Sequence, residues 1–235
     1  MKCALIKKNC YLISVLLISN IQAIEYEDSG WLHQEKIAIS LGSNCTIAMQ
    51  LNMAQLRHKA CIFDWCLSSV AAIIHCIDND FKDFFNIENC QLVEPMSVLD
   101  TLYNITIKHD FPFQIEMGGS RPGIPSKDVV YEQYNQTYNK LMRRIERFRK
   151  LKMYQGKLYF IRWGNTTKKE AVALFKTLYK KFKKQDFTLI VIGSSKDYRN
   201  PWRFTQIKNF FIPNTDGYIG EPNLITHIFK EVGLL

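Results

Sequence analysis

Apolar residues gather into three short runs bounded by polar or glycine-containing turns: KIAISL at 36–41, KLYFIRWG at 157–164 and FTLIVIGS at 187–194. Runs of this length read as buried strands. Between the last two, EAVALFKTLYKKF repeats its apolar residues at helical spacing, after a polar NTTKKE segment suited to starting a helix. Strand, helix and strand in that order predict a crossover unit whose strands pair in parallel and are covered on both faces. The expected fold class is therefore α/β, a three-layer, mainly parallel, Rossmann-like sheet with helices on both faces.

Elsewhere the pattern predicts a helix from Thr46 to Leu56, a second from Leu67 to about Ile77 and a short aromatic helix over Asp80 to Phe85. Residues 103–108 alternate with period two and are rich in β-branched residues, so a strand ends there at His109. GGSRPGIPS, from Gly118 to Ser126, is a loop, and a long basic helix follows from Asp128 to Met153. No internal repeat divides the chain, and residues 24–235 are expected to form a single domain.

The first 23 residues have another logic. Lys2, Lys7 and Lys8 precede the apolar run Tyr11 to Ile18, and SNIQA follows, the layout of a secretory signal cleaved after Ala23. The run is short against the roughly 20 residues of a bilayer span. A secreted or periplasmic protein is expected, with an N-terminal membrane anchor as the alternative and no span in the mature chain. At 47% hydrophobic and 13% aromatic, the 235 residues have ample material for a core, which excludes a disordered chain.

Net charge is +9, and losing the leader's three lysines lowers it to about +6. The excess concentrates in KLMRRIERFRKLK at 140–152 and in Lys180, Lys181, Lys183 and Lys184. Such clusters suit anionic partners. Leu141, Ile145, Phe148 and Leu151 nevertheless keep helical spacing, so the cations of the first cluster line the wet side of an amphipathic helix. No nucleic-acid docking motif accompanies them, and nucleic acid is not the expected partner.

Cysteine chemistry narrows the picture. Cys45, Cys61, Cys66, Cys76 and Cys90 follow the leader, an odd set that leaves one thiol unpaired. Two bridges among the last four would leave Cys45, although sequence assigns no connectivity. Their spacing is not that of a zinc site, so neither metal nor cofactor is expected. Cys45 stands where LGSN hands a strand over to a helix. Unpaired amides at a helix start favour the thiolate of a thiol placed there. Those amides, with the Asn44 side chain, could also hold an oxyanion. Gly42 permits the turn, and Ser43 or Asn44 suits the N-cap.

A thiol hydrolase needs a base. His109, at a strand end before Asp-Phe-Pro, is the histidine placed to face a crevice. Its neighbour Asp110 points to the opposite strand face. Asp64, between Phe63 and Trp65, is the better third member, although a buried acid there could equally pair with Arg57, Arg162 or a backbone cap.

SLGSNC, then FDW, NDFKDFF, KHDF, an RRIERF helix and a YFIRW strand occur in an order that resembles an uncharacterised bacterial family described as papain-like cysteine peptidases, a domain of unknown function. The resemblance covers roughly Lys36 to Ser194. It implies a nucleophile at Cys45 with His109 as its histidine. A papain-like label implies a helical lobe beside an antiparallel barrel-like sheet, whereas the strand pattern implies a parallel sheet with a corner nucleophile, as in esterase-type hydrolases. Two functions follow. One is a thiol hydrolase acting on a peptide, amide or ester. The other is a module that binds or transfers an anionic, phosphate- or sugar-containing ligand, held by the GSNC and GSSKD loops with Arg162 adding charge.

Overall fold

A computed structural model describes residues 30–94, 97–108, 127–213 and 221–235. The leader, His109, Asp110 and the Gly118 to Ser126 loop lie outside these described residues.

Four strands form a wholly parallel sheet in the order β1 (Lys36–Ser40), β6 (Lys157–Trp163), β7 (Phe187–Gly193) and β8 (Ile207–Phe211). The expected crossover is present. β6 passes through α4 (Lys168–Phe182) to β7, and α4 opens on a capping box between Thr167 and Glu170. Side chains alternate along β6 as the pleat requires. Leu158 and Phe160 join a core shared with Leu141, Ile145 and Phe148 of α3 (Lys127–Lys150) and Leu174, Leu178 and Phe182 of α4. Tyr159, Ile161 and Trp163 join a second core with Ile47 and Leu51 of α1 (Thr46–Met53) and Ile225, Ile228 and Phe229 of α5 (Pro222–Glu231). Helices thus flank the parallel sheet. Each large side chain fully buried there contributes roughly 1.5–3 kcal/mol.

The periodicity did not foresee a second, antiparallel sheet in the order β2 (Cys66–Leu67), β5 (Ile105–Lys108), β4 (Ser97–Asp100) and β3 (Cys90–Glu94). The fold is mixed α/β, not mainly parallel. The strands of this second sheet have two to five residues, and only the alternation at 103–108, where β5 lies, is legible in the sequence. The helix expected to begin at Leu67 is α2 (Val70–Asp78), started by Ser69, whose side chain accepts from the Ala72 amide.

The aromatic helix expected over Asp80 to Phe85 is replaced by a turn in which Asp80, Phe81, Asp83 and Phe85 all have positive φ, between 50° and 58°. Left-handed backbone costs roughly 1–2 kcal/mol per residue. Burial of Phe81, Phe84 and Phe85 opposes that cost. So does the buried Asp100 carboxylate, which accepts from the amides of Phe85 and Tyr103 at 2.6 and 3.0 Å. The Asp80 side chain pairs with Lys181 and Arg149, fastening the turn to α3 and α4. Among the described residues no helix is long and apolar enough to cross a membrane.

Candidate active site

β1 ends at Ser40, and the chain reverses through two successive left-handed residues, Gly42 at φ 70° and Ser43 at φ 81°. Space and dihedral both demand glycine at 42. A Cβ there would lie 2.6 Å from the Ser68 hydroxyl oxygen and 3.2 Å from the Phe63 carbonyl. The Ser43 amide donates to Ser68 Oγ at 3.2 Å. Gly164, at φ 94° just beyond β6, brings the next loop so close that a Cβ would stand 3.0 Å from Ser43 Oγ.

Beneath the turn lies Arg162 of β6, only 5% exposed. One guanidinium nitrogen donates to the Leu41 carbonyl at 2.8 Å and to Ser68 Oγ at 3.3 Å, and the other donates to the Ser68 carbonyl at 2.6 Å. Burial pulls its pKa down to about 10. Its Nε has no partner among the described residues. Three stretches distant in sequence, LGSN, FDWCLS and RWG, are thereby fastened into one bracket. Arg162 was expected to add charge for a ligand. Instead its fork is spent holding the turn.

Cys45 itself is the N-cap of α1, in helical backbone conformation and with no side-chain cap bond, where Ser43 or Asn44 had been expected. Its thiol is half-buried and is not tied to its own helix. Asn44 Oδ1 accepts from the Thr46 amide at 2.9 Å, so that oxygen caps the helix from one residue further back. Ser68 takes the Ser43 amide and Asn44 takes the Thr46 amide. The amides of Asn44 and Cys45 have no acceptor among the described residues.

The two neighbouring loops at this carboxyl edge differ. Asn165 Oδ1 accepts from the amides of Ser194 and Ser195, both at 3.0 Å. The Glu170 carboxylate accepts from the Thr167 amide at 2.8 Å, and the Tyr198 hydroxyl accepts from the Thr166 amide at 2.8 Å. The stretch after GSS is a single turn of 3-10 helix, Lys196–Tyr198, and not an α-helix. The amides of Thr166, Thr167, Ser194 and Ser195 are thus taken by side chains, whereas those of Asn44 and Cys45, at the thiol-bearing corner, are not taken among the described residues.

Asp64 is 1% exposed and belongs to the same folded segment, through Phe63 and Ser68. Its Oδ2 accepts from Arg57 Nε and from the Cys61 amide, each at 2.8 Å. Arg57 in turn lies over the Trp65 ring at 5.4 Å. Burial raises the Asp64 pKa, and Arg57 draws it back. The ionised carboxylate is the form the unfolded chain holds at neutral pH, so its burial there opposes folding unless Arg57 compensates. Arg57→Met is expected to lower stability by about 2–3 kcal/mol near neutral pH. That loss should shrink as pH falls through the raised folded-state pKa toward the unfolded value, because a protonated Asp64 no longer needs the guanidinium. Denaturant titrations of both proteins at about pH 7 and about pH 4 would measure the difference.

All five described cysteines are thiols, so the two bridges considered for Cys61, Cys66, Cys76 and Cys90 are not formed. Cys61, Cys66 and Cys76 are buried. Burial pushes the thiols of Cys61 and Cys76 well up, and that of Cys90 to about 12. Four histidines, His33, His58, His75 and His227, are exposed. His109, the expected base, is outside the described residues. Among those residues no cluster of three or more ligating side chains suits a metal. Ser68 went unnoticed in the sequence. Its one signal was indirect, since a buried Arg162 must find oxygen acceptors.

Residues 36–195 match the family described as "Putative papain-like cysteine peptidase", and the chain belongs to that family. The match begins at β1 and ends just after β7, enclosing the whole bracket around Cys45. The chain is also similar to "Uncharacterized protein R408" of Acanthamoeba polyphaga mimivirus, with 30% identity over 151 residues. That alignment covers 56% of this chain and 63% of the viral protein, so the chain spans less than two thirds of that relative's length. No solved structure matches.

Proposed function

We propose that the protein is a thiol hydrolase that cleaves a peptide, amide or ester bond through a covalent intermediate on Cys45. The carrying observation is the pair of unclaimed amides, Asn44 and Cys45, beside a half-buried thiol at the strand-to-helix corner. Cys45 Sγ attacks the substrate carbonyl carbon, and the thiol proton passes to His109. The carbonyl oxygen, now an anion, is held by the amides of Asn44 and Cys45. Collapse breaks the carbon–nitrogen or carbon–oxygen bond, and His109 returns the proton to the leaving group. Water then hydrolyses the thioester, releasing the acid and the free thiol. Asp64 fits a positioning role, because its bonds to Arg57 and Cys61 brace the segment that carries Ser68.

The reading includes a three-layer, Rossmann-like arrangement with a corner nucleophile, and export by the N-terminal leader. The competing reading, an anion cradle at the GSNC and GSSKD loops, is disfavoured by Asn165, whose side chain already takes two amides of the GSSKD loop, those of Ser194 and Ser195. A peptidyl chloromethyl ketone or acyloxymethyl ketone, which alkylates a thiolate to a stable thioether, followed by peptide mapping, tests the proposal. A single adduct on Cys45 that forms more slowly in His109→Ala is expected. An adduct spread over several cysteines, or none on Cys45, would overturn it.

A further inference from the structure

The amino ends of the parallel strands form the edge opposite Cys45. α3 and α4 both finish there, and the segments leading from them into β6 and β7 enclose a cavity of about 350 Å3. Met153 and Phe182 supply its apolar lining, and Lys152, Lys180, Lys183 and Lys184 its charge. A hydrogen bond of 2.6 Å from the Gln185 side-chain amide to the Lys152 carbonyl joins the two walls. A helix C-terminus attracts cations, which accounts for Lys180 and Lys181 in the last turn of α4. Lys181 is further committed to Asp80. The dipole does not account for Lys184 or Lys152, which lie beyond the helix ends, nor for an exposed Met153 among them at 55%. Lys36 and Lys157 open β1 and β6 on this same edge, against the acids Glu35 and Asp186.

The preceding chain also enters here. The Tyr154 hydroxyl donates to the Gln34 carbonyl at 2.7 Å, and the Lys157 amide donates to the Glu35 carbonyl at 3.1 Å. An exposed apolar side chain, Met153, set within a polybasic cluster suits an anionic interface.

We propose that this edge docks on an anionic lipid bilayer, with Lys152, Lys183 and Lys184 over headgroup phosphates and Met153 at the acyl boundary. Charge complementarity selects the occupant, and the apolar lining favours a lipid surface over a fully hydrated polyanion. The thiol then faces away from the bilayer. The proposal stands apart from the reaction at Cys45.

Co-sedimentation of the full chain with two vesicle types tests it. One type is phosphatidylcholine alone, and the other contains about 30% phosphatidylserine. Tighter binding to the anionic vesicles by about tenfold or more at low ionic strength is expected, fading as salt is raised. The triple variant Lys152→Glu, Lys183→Glu, Lys184→Glu should lose most of that preference while keeping the parent's binding to neutral vesicles and its thermal melt. Equal binding of the parent to both vesicles overturns the proposal. So does a preference that survives the triple substitution, since it would then belong to Lys2, Lys7 and Lys8. Loss of duplex-DNA retention without any change on vesicles would assign the edge to nucleic acid instead. A triple variant that fails to fold is replaced by Lys152→Gln with Lys184→Gln, which should lose part of the preference.

Discussion

Cys45→Ser is expected to lower hydrolysis by a factor on the order of 10⁴ to 10⁶, the range found when a hydrolase loses its nucleophile. Stability should stay within about 0.5 kcal/mol of the parent, because the side chain is half-buried and serine is a favoured N-cap residue. The two outcomes separate chemistry from folding. Within residues 24–235 four other thiols serve as internal controls, since burial holds Cys61 and Cys76 high, Cys66 is buried, and Cys90 sits at about 12. An alkylating reagent near neutral pH should therefore mark residues 24–235 of the parent once and those of Cys45→Ser not at all. Initial-rate assays on a panel of activated esters and peptides, run beside intact-mass labelling, make the measurement. A Cys45→Ser protein that retained even a tenth of the parental rate would remove the thiol from the mechanism.

The second large effect belongs to Arg162, which touches no substrate in this reading and acts through the turn. Arg162→Met removes the guanidinium donors of the Leu41 and Ser68 carbonyls and leaves Ser68 Oγ with the Ser43 amide alone, in a site only 5% exposed at the arginine. A loss of about 3 kcal/mol is expected, because unmet buried acceptors bear their desolvation cost in full. Arg162→Lys is the more informative change. The lysine keeps the charge, but a single ammonium cannot reproduce a planar fork that reaches Leu41 and Ser68 together. Its stability should fall by only about 1–2 kcal/mol. Alkylation of Cys45 should slow by about tenfold or more, because the turn that presents the Asn44 and Cys45 amides has lost its brace. Denaturant titration and alkylation rates on the same samples distinguish the cases. Parental alkylation kinetics in a folded Arg162→Lys protein would reduce Arg162 to an ordinary buried cation.

Local pattern carried three of the four parallel strands, β8 being the one it missed. KIAISL, KLYFIRW and FTLIVIG are apolar enough to be buried on both faces, and a strand followed by an amphipathic helix and another strand leaves parallel pairing as the main option. The same reasoning placed Cys45 at a corner, since Gly42 punctuates between a strand period and a helix period. Of the antiparallel sheet it found only the strand at 103–108, because β2, β3 and β4 are short and carry little pattern of their own. It also misjudged Asp80 to Phe85. Aromatic spacing there suits a helix, but the Asp100 carboxylate and the core bend that segment into left-handed turns.

The identity of the corner residue, the helical face of each long segment and the membership of the motif series were thus written in the residues alone, because each depends on neighbours within a turn or two. Which amides remain open to a ligand was settled only by folding. Ser68 lies 25 residues beyond the amide it accepts from. Arg162 lies 121 residues beyond the carbonyl it holds. Asn165 silences donors about 30 residues further on. Hydrogen-bond capacity is consumed by whatever the fold brings near, and long-range proximity has no signature in local periodicity.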